Sequence, residues 1–268
     1  WCVSRYGIGE CLYRFDQQMQ PQPYLADSVK SNDDNTEWTF HIRDGVKFSN
    51  GKELTPSAVK KSIEYTFKQE EDGKGTAHPS QFLKYESIEA DDESGNLTIK
   101  TSQAYADLSA VLANPLFVIV DVDADTDMAD QPIGTGPYAV VKKNEGTSIE
   151  MEANEHYWNG DVPYEKLNVI FIDDNTTKSM ALQNGEVDFS AESLQAQDIA
   201  LLEANNNISF METQGSRGFH LMFNYENEVL QDKNIRLALN YAVDKDAIAN
   251  DLLDGNGIAA KGMFNSSV

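Results

Sequence analysis

The run WTFHIRDGVKFSNGKELTPSAVKKSIEYTF, residues 38–67, constrains the fold more than any other stretch, because two periodicities meet in it. Trp38, Phe40 and Ile42 alternate with Thr39, His41 and Arg43, the period-two pattern of a strand with one buried face, which points His41 away from that face. Asp44-Gly45 and Asn50-Gly51 read as turn pairs, with Val46 and Phe48 between them continuing a hairpin-like ribbon. Thr55-Pro56 then opens a helix, with Thr as N-cap and Pro at the first helical position, where its missing N–H is no loss. Val59, Ile63 and Phe67 fall on one face of that helix.

Downstream, KQEEDGKGTAHPSQF reads as a polar loop, YESIEADDESGNLTIKT as a strand pair about a Ser-Gly-Asn turn, and ADLSAVLANP as a short helix ended by Pro115. A Gly-Thr-Gly-Pro turn precedes strands expected at residues 138–142, 148–152 and 167–172. The pattern then alternates. NTTKSMALQNGEVDFS predicts a helix capped by Asn175 and closed by Asn184-Gly185, followed by a strand Val187-Asp188-Phe189. SLQAQDIALLEAN predicts a helix, ISFMET a strand, and RGFHLMFN a strand whose Phe219, Leu221 and Phe223 share a face. Asp232 caps KNIRLALNYAV, with Ile235, Ala238, Leu239 and Ala242 on one side, and Asp244 caps KDAIANDLLDG. Strands mixed with helices predict an α/β lobe, and the sequence carries no internal repeat.

The chain has 268 residues, the length of one large domain or about two of common size. Its formal net charge of -23 argues against nucleic acid and anionic lipid as partners, since both are held by clustered Lys and Arg. The longest apolar run, LFVIV at residues 116–120, fits a buried strand and falls far short of the ~18 residues a membrane span needs. Cys2 and Cys11 lie in WCVSRYGIGECLYRF, whose later part reads as a helix. Nine residues of helix set two side chains about half a turn apart, so both are expected to be thiols. The sequence starts at Trp with no initiator Met or signal peptide, so any export signal is expected to have been removed or left out.

Few motifs suggest chemistry. The acidic run DVDADTDMAD, residues 121–130, has carboxylates at alternate positions, but a calcium loop started at Asp121 would put Thr126 where the turn needs Gly and Pro132 where the bidentate Glu belongs. It reads as a solvated acidic loop. His41, His78, His156 and His220 are scattered without metal-ligand spacing, although His220 faces opposite to an apolar row. GTGPY lacks the Lys and the length of a phosphate loop, and no G-x-S-x-G appears.

Three ordered stretches carry a resemblance: WTFHIRDGVKFSNGKELTPSAVKKSIEY, PIGTGPYAVVKKNEGTSIEMEANEHYWNGDVPYEKLNVIFIDDNTTKSMALQNGEVDFS and NIRLALNYAVDKDAIANDLL. Together they resemble the extracellular solute-binding proteins, family 5, of ABC importers. The resemblance implies an α/β, periplasmic-binding-protein-like (class II) lobe with a mixed sheet flanked by helices, plus an inserted α+β subdomain. On that pattern residues 1–15 and 130–268 form the ligand-binding lobe, residues 16–129 the insert, and a second lobe is absent from this chain. It further implies a protein that is not an enzyme, has no cofactor, captures a small-molecule solute as a monomer and delivers it to an ABC permease. Its place is extracellular, as a membrane-anchored lipoprotein or in a periplasm.

WCVSRYGIGECLYRFD and HIRDGVKFSNG look closest to the nickel-binding branch, which implies nickel or a metal chelate as the ligand, with an oligopeptide or dipeptide as the alternative and a cell-surface hydrolase as a distant one. The Arg anchors expected in that branch around TFKQEEDGKGTAH and LANPLFVIV are missing. Arg5 and Arg217 remain as cations for a ligand carboxylate, against the plainer reading of surface ion pairs with nearby carboxylates such as Glu10 or Glu212. Because both WCVSRYG and SRGFH lie near the ligand in proteins that this one resembles, Trp1, Cys2, Arg5, Tyr6, Arg217 and His220 are the expected ligand-binding residues.

Overall fold

A computed structural model describes residues 2–74, 77–191, 194, 196–211 and 218–262. The chain divides into two compact units, residues 1–171 and 172–268.

The first unit is built on the alternation seen in the sequence. Strand β3 (Ala26–Ser31), β4 (Glu37–Ile42), β5 (Tyr85–Asp91) and β6 (Asn96–Thr101) form a four-stranded antiparallel sheet in the order β3-β4-β6-β5. Trp38, Phe40 and Ile42 are buried on one face of β4, while His41 on the other bonds Asp27 at 3.0 Å. Helix α2 (Pro56–Glu71) packs on this sheet. The Thr55 side chain accepts from Ala58 N as N-cap, Pro56 is the first helical residue, and Val59 and Ile63 are buried with Phe67 half-buried beside them. Helix α3 (Leu108–Val111), capped by Asp107, and a 3-10 turn at Pro115–Phe117 close the core over Leu97, Ile99, Leu112 and Phe117.

A second, smaller core forms around a meander of β7 (Tyr138–Asn144), β8 (Ser148–Ala153) and β9 (Lys166–Ile170), where Tyr138, Val140, Ile149 and Met151 enclose Ile8, with Val3 and Tyr6 packed at the margin. All strand pairs among the described residues are antiparallel, so the expected mixed sheet is not seen there.

The later part of WCVSRYGIGECLYRF is not a helix. Helix α1 (Cys2–Arg5) is a single turn ended by Gly7 in the left-handed region at φ 73°, and the chain continues as extended backbone into β1 (Tyr13–Phe15), paired with β2 (Pro21–Pro23). Local apolar spacing at Ile8, Cys11 and Leu12 imitates a helix, but hydrogen bonds to distant segments win. The nine-residue argument about the cysteines therefore falls. Cys11 is nonetheless a free, buried thiol that donates to Asn114 O at 3.5 Å, and burial pushes it up to about 12. The Cys2 side chain lies outside the described residues.

In the second unit, α4 (Asn175–Asn184) ends at Gly185 as expected, but its N-cap is Asp174, which accepts from Thr177 N at 2.7 Å, and not Asn175. Then come α5 (Ala196–Glu203), α6 (Glu228–Gln231), α7 (Lys233–Ala242) capped by Asp232, and α8 (Lys245–Ala247) capped by Asp244. The expected strands at Val187–Phe189 and through Phe219–Phe223 are irregular backbone. Alternation supplies a strand face but not the neighbouring strand that must pair with it. Residues 208–211 of ISFMET are likewise irregular, and the rest of that stretch lies outside the described residues. Leu202, Ala181 and Ala249 are buried, whereas Met211 is 97% and Phe219 94% exposed, and the apolar side of α7 contributes no buried residue.

Candidate functional site

The leading segment sits at the best-built polar site of the first unit. Ile8 N and Gly9 N both donate to Val3 O at 3.0 Å, which folds α1 back on the extended stretch. Gly136 N then donates to Ile8 O and Tyr138 N to Gly7 O, both at 3.0 Å. The expected Gly-Thr-Gly-Pro turn is thus a bend where two backbones cross at close range. A Cβ on Gly134 would lie 2.1 Å from Ile8 O, and one on Gly136 2.3 Å from Gly7 O, so both positions require the absence of a side chain. Buried Asn154 fastens the far side, donating through Nδ2 to Gly136 O at 2.8 Å and accepting from His156 N at 2.9 Å.

Glu10 closes the arrangement. Although charged, it is only 6% exposed. Its Oε2 accepts from Thr135 Oγ1 and from Trp158 Nε1, both at 2.9 Å, and its Oε1 from the Tyr157 hydroxyl at 3.4 Å. Tyr24 lies 3.4 Å from the Tyr157 hydroxyl, and burial, together with the neighbouring Glu10 and Tyr157, holds its own hydroxyl well above the usual tyrosine value. Cations cover the outer aromatic faces: Arg43 lies 4.9 Å from the Trp158 ring centre and Arg14 4.6 Å from that of Tyr24.

Of the expected ligand residues, Arg5 is exposed at the end of α1 and Tyr6 is half-buried against the Ile8 cluster; both belong to the first unit. His220 is exposed and belongs to the second unit. Trp1 and Arg217 lie outside the described residues, as does the Cys2 side chain. Asn154 escaped the sequence reading and Glu10 was expected at the surface, although a carboxylate inside the apolar run IGECLY was a signal that donors must meet it.

The acidic loop is structural. Buried Asp121 binds Lys52 Nζ and Asn50 Nδ2, both at 2.8 Å, and Asp123 binds Lys61. Burial alone would raise the Asp121 carboxyl, but Lys52, Asn50 and the Asp123 N–H outweigh it and hold the carboxyl below its usual value. A group depressed in this way stabilises the fold above its unfolded value, about 4, and loses that contribution as pH falls through the folded one. Asp121→Asn is therefore expected to destabilise at pH 6, with the gap from the parent narrowing below about pH 4 in denaturant titrations. A gap independent of pH would refute the charge assignment. Among the described residues, no group of three or more His, Cys, Asp or Glu is placed to hold a metal ion.

The comparisons with known proteins agree with this architecture. The chain is 29% identical to the nickel-binding protein NikA of Staphylococcus aureus over 98% of its own length and 52% of that protein's. It is 29% identical to heme-binding protein A of Haemophilus influenzae, covering 90% of this chain and 48% of that one, and 28% identical to the probable D,D-dipeptide-binding periplasmic protein DdpA of Escherichia coli, covering 89% and 46%. The solved structure of S. aureus NikA in complex with Ni(L-His)2 superposes with a TM-score of 0.86 at 28% identity, over 98% of this chain and 54% of that one. The fold is that of an ABC-importer solute-binding protein. By its match over residues 20–268, the chain belongs to the bacterial extracellular solute-binding proteins, family 5. These are transport binding proteins rather than enzymes, and no helix among the described residues is long and apolar enough to cross a membrane. The chain spans about half the length of the relatives it matches.

Proposed function

We propose that this chain is the first-lobe portion of a monomeric solute-binding component that captures a nickel chelate outside the cell and hands it to an ABC permease. The protein is extracellular, either lipid-anchored or periplasmic, with residues 1–15 and 130–268 as the ligand-binding lobe and residues 16–129 as an insert. The observation that carries the nickel reading is the likeness over 98% of the chain to a protein whose structure holds Ni(L-His)2. A peptide ligand is the second reading, favoured by the dipeptide-binding relative. In the nickel reading Trp1, Cys2, Arg5, Tyr6, Arg217 and His220 face the solute, and Arg5 and Arg217 meet its carboxylates.

The test is calorimetry on the full-length protein with nickel(II) plus L-histidine, and separately with a dipeptide. A charge-assisted contact contributes roughly 1.5–3 kcal/mol, so Arg5→Ala and Arg217→Ala should each weaken nickel–histidine binding about tenfold or more. Retention of affinity within about twofold by both variants would remove them from the site, and tight dipeptide binding without nickel binding would select the second reading.

A further inference from the structure

We infer that Glu10 is a positioning residue for solute binding, setting the place of Arg5 through the hydrogen bonds it accepts from four donors on three distant stretches of chain; this rests on the reading that Arg5 meets the solute. Glu10 is tied at both ends of its residue. Its carbonyl accepts from Ile119 N at 2.8 Å, and its carboxylate accepts from Thr135, Trp158 and Tyr157. Five residues upstream, Arg5 ends a helical turn that is folded onto Ile8 and Gly9 by the two hydrogen bonds to Val3 O. Gly7 between them is itself pinned, its carbonyl accepting from Tyr138 N at 3.0 Å. The segment is a short lever with a fixed root.

The chemistry of the root is what sets it apart from ordinary packing. Burying a carboxylate is unfavourable unless its oxygens are met by well-placed donors, and an apolar side chain of the same volume would hold two elements together at less cost. A carboxylate instead accepts only an arrangement in which all its donors converge. The indole N–H of Trp158 can only donate, so it faces Glu10 in one orientation, and the Thr135 hydroxyl is presented by a residue flanked by two glycines that allow no sideways shift. Tilting the leading strand would leave a buried charge short of donors. The directional bonds therefore select one position of the root, and with it one position of Arg5.

The experiment measures nickel(II)–L-histidine affinity by calorimetry on the full-length protein. Glu10→Gln keeps the shape, one acceptor oxygen for Thr135 and Trp158, and an amide that can donate to the Tyr157 hydroxyl; its affinity should stay within about twofold. Glu10→Met keeps volume and removes the acceptors; it should bind at least tenfold more weakly. Should Glu10→Met fail to fold, Trp158→Phe removes one donor and is expected to weaken binding at least threefold. In an Arg5→Ala background, Glu10→Met should cost no more than twofold, because the effect passes through Arg5. The inference is overturned if Glu10→Met, or Trp158→Phe in its place, binds within twofold of the parent, or if its full cost persists without Arg5, as a purely structural role would give. An unchanged affinity in Arg5→Ala alone overturns the Arg5 reading as well, whereas a weakened Arg5→Ala with an unaffected Glu10→Met sinks only the positioning role.

Discussion

Gly134→Ala should cost about 3 kcal/mol or more of stability, far beyond an ordinary Gly-to-Ala change. The added methyl would lie 2.1 Å from the Ile8 carbonyl oxygen and 2.8 Å from the Gly9 Cα, and neither is the end of a flexible side chain that can swing away. Relief requires separating two backbones whose hydrogen bonds define the crossing. Gly146 provides the control. It sits at φ 67° in the β7–β8 turn with nothing near its missing Cβ, so Gly146→Ala pays only the left-handed backbone strain, about 1–2 kcal/mol. Urea midpoints for the two variants should differ clearly. Equal shifts would show that the crossing can open, and would undercut the account of the glycine pair.

Phe40→Ala should cost about 4 kcal/mol. Phe40 is fully buried at the centre of the four-stranded sheet, opposite Leu97 on β6 and Val29 on β3, and it meets the Tyr13 ring edge-on at 6.1 Å. Large-to-small changes at such sites lose the transfer energy of the ring and leave a cavity that surrounding strands cannot fill. Phe219→Ala, at a position 94% exposed in the second unit, should change stability by no more than about 0.5 kcal/mol. If denaturant unfolding gave the two variants similar losses, either Phe219 is covered in the folded protein or the Phe40 site collapses freely.

The alternation around Phe40 was legible because each signal there is local. Trp38, Phe40 and Ile42 share a face whatever else the chain does, and Thr55 can cap only the helix that follows it. The β7 to β9 meander was legible for the same reason. IGECLYRF misled because local spacing favoured a helix while its real partners are Ile119, Thr135 and Trp158. Val187–Phe189 misled in the opposite sense, having the composition of a strand with no strand beside it among the described residues. Of the candidate site, the leading segment was singled out through resemblance alone. Glu10 was not, because no window of sequence places a carboxylate beside an indole 148 residues away.

That separation also governs when the leading segment can be fixed. The bonds of Glu10 to Thr135 and Trp158 span 125 and 148 residues, so each closes a loop containing most of the first unit. At synthesis rates of roughly 5–20 residues per second, on the order of ten seconds pass between the making of Glu10 and that of Trp158. The residues made first in this stretch are among the last it can lock. Until then the carboxylate of Glu10 lacks the hydroxyl and the indole N–H that meet it in the finished fold.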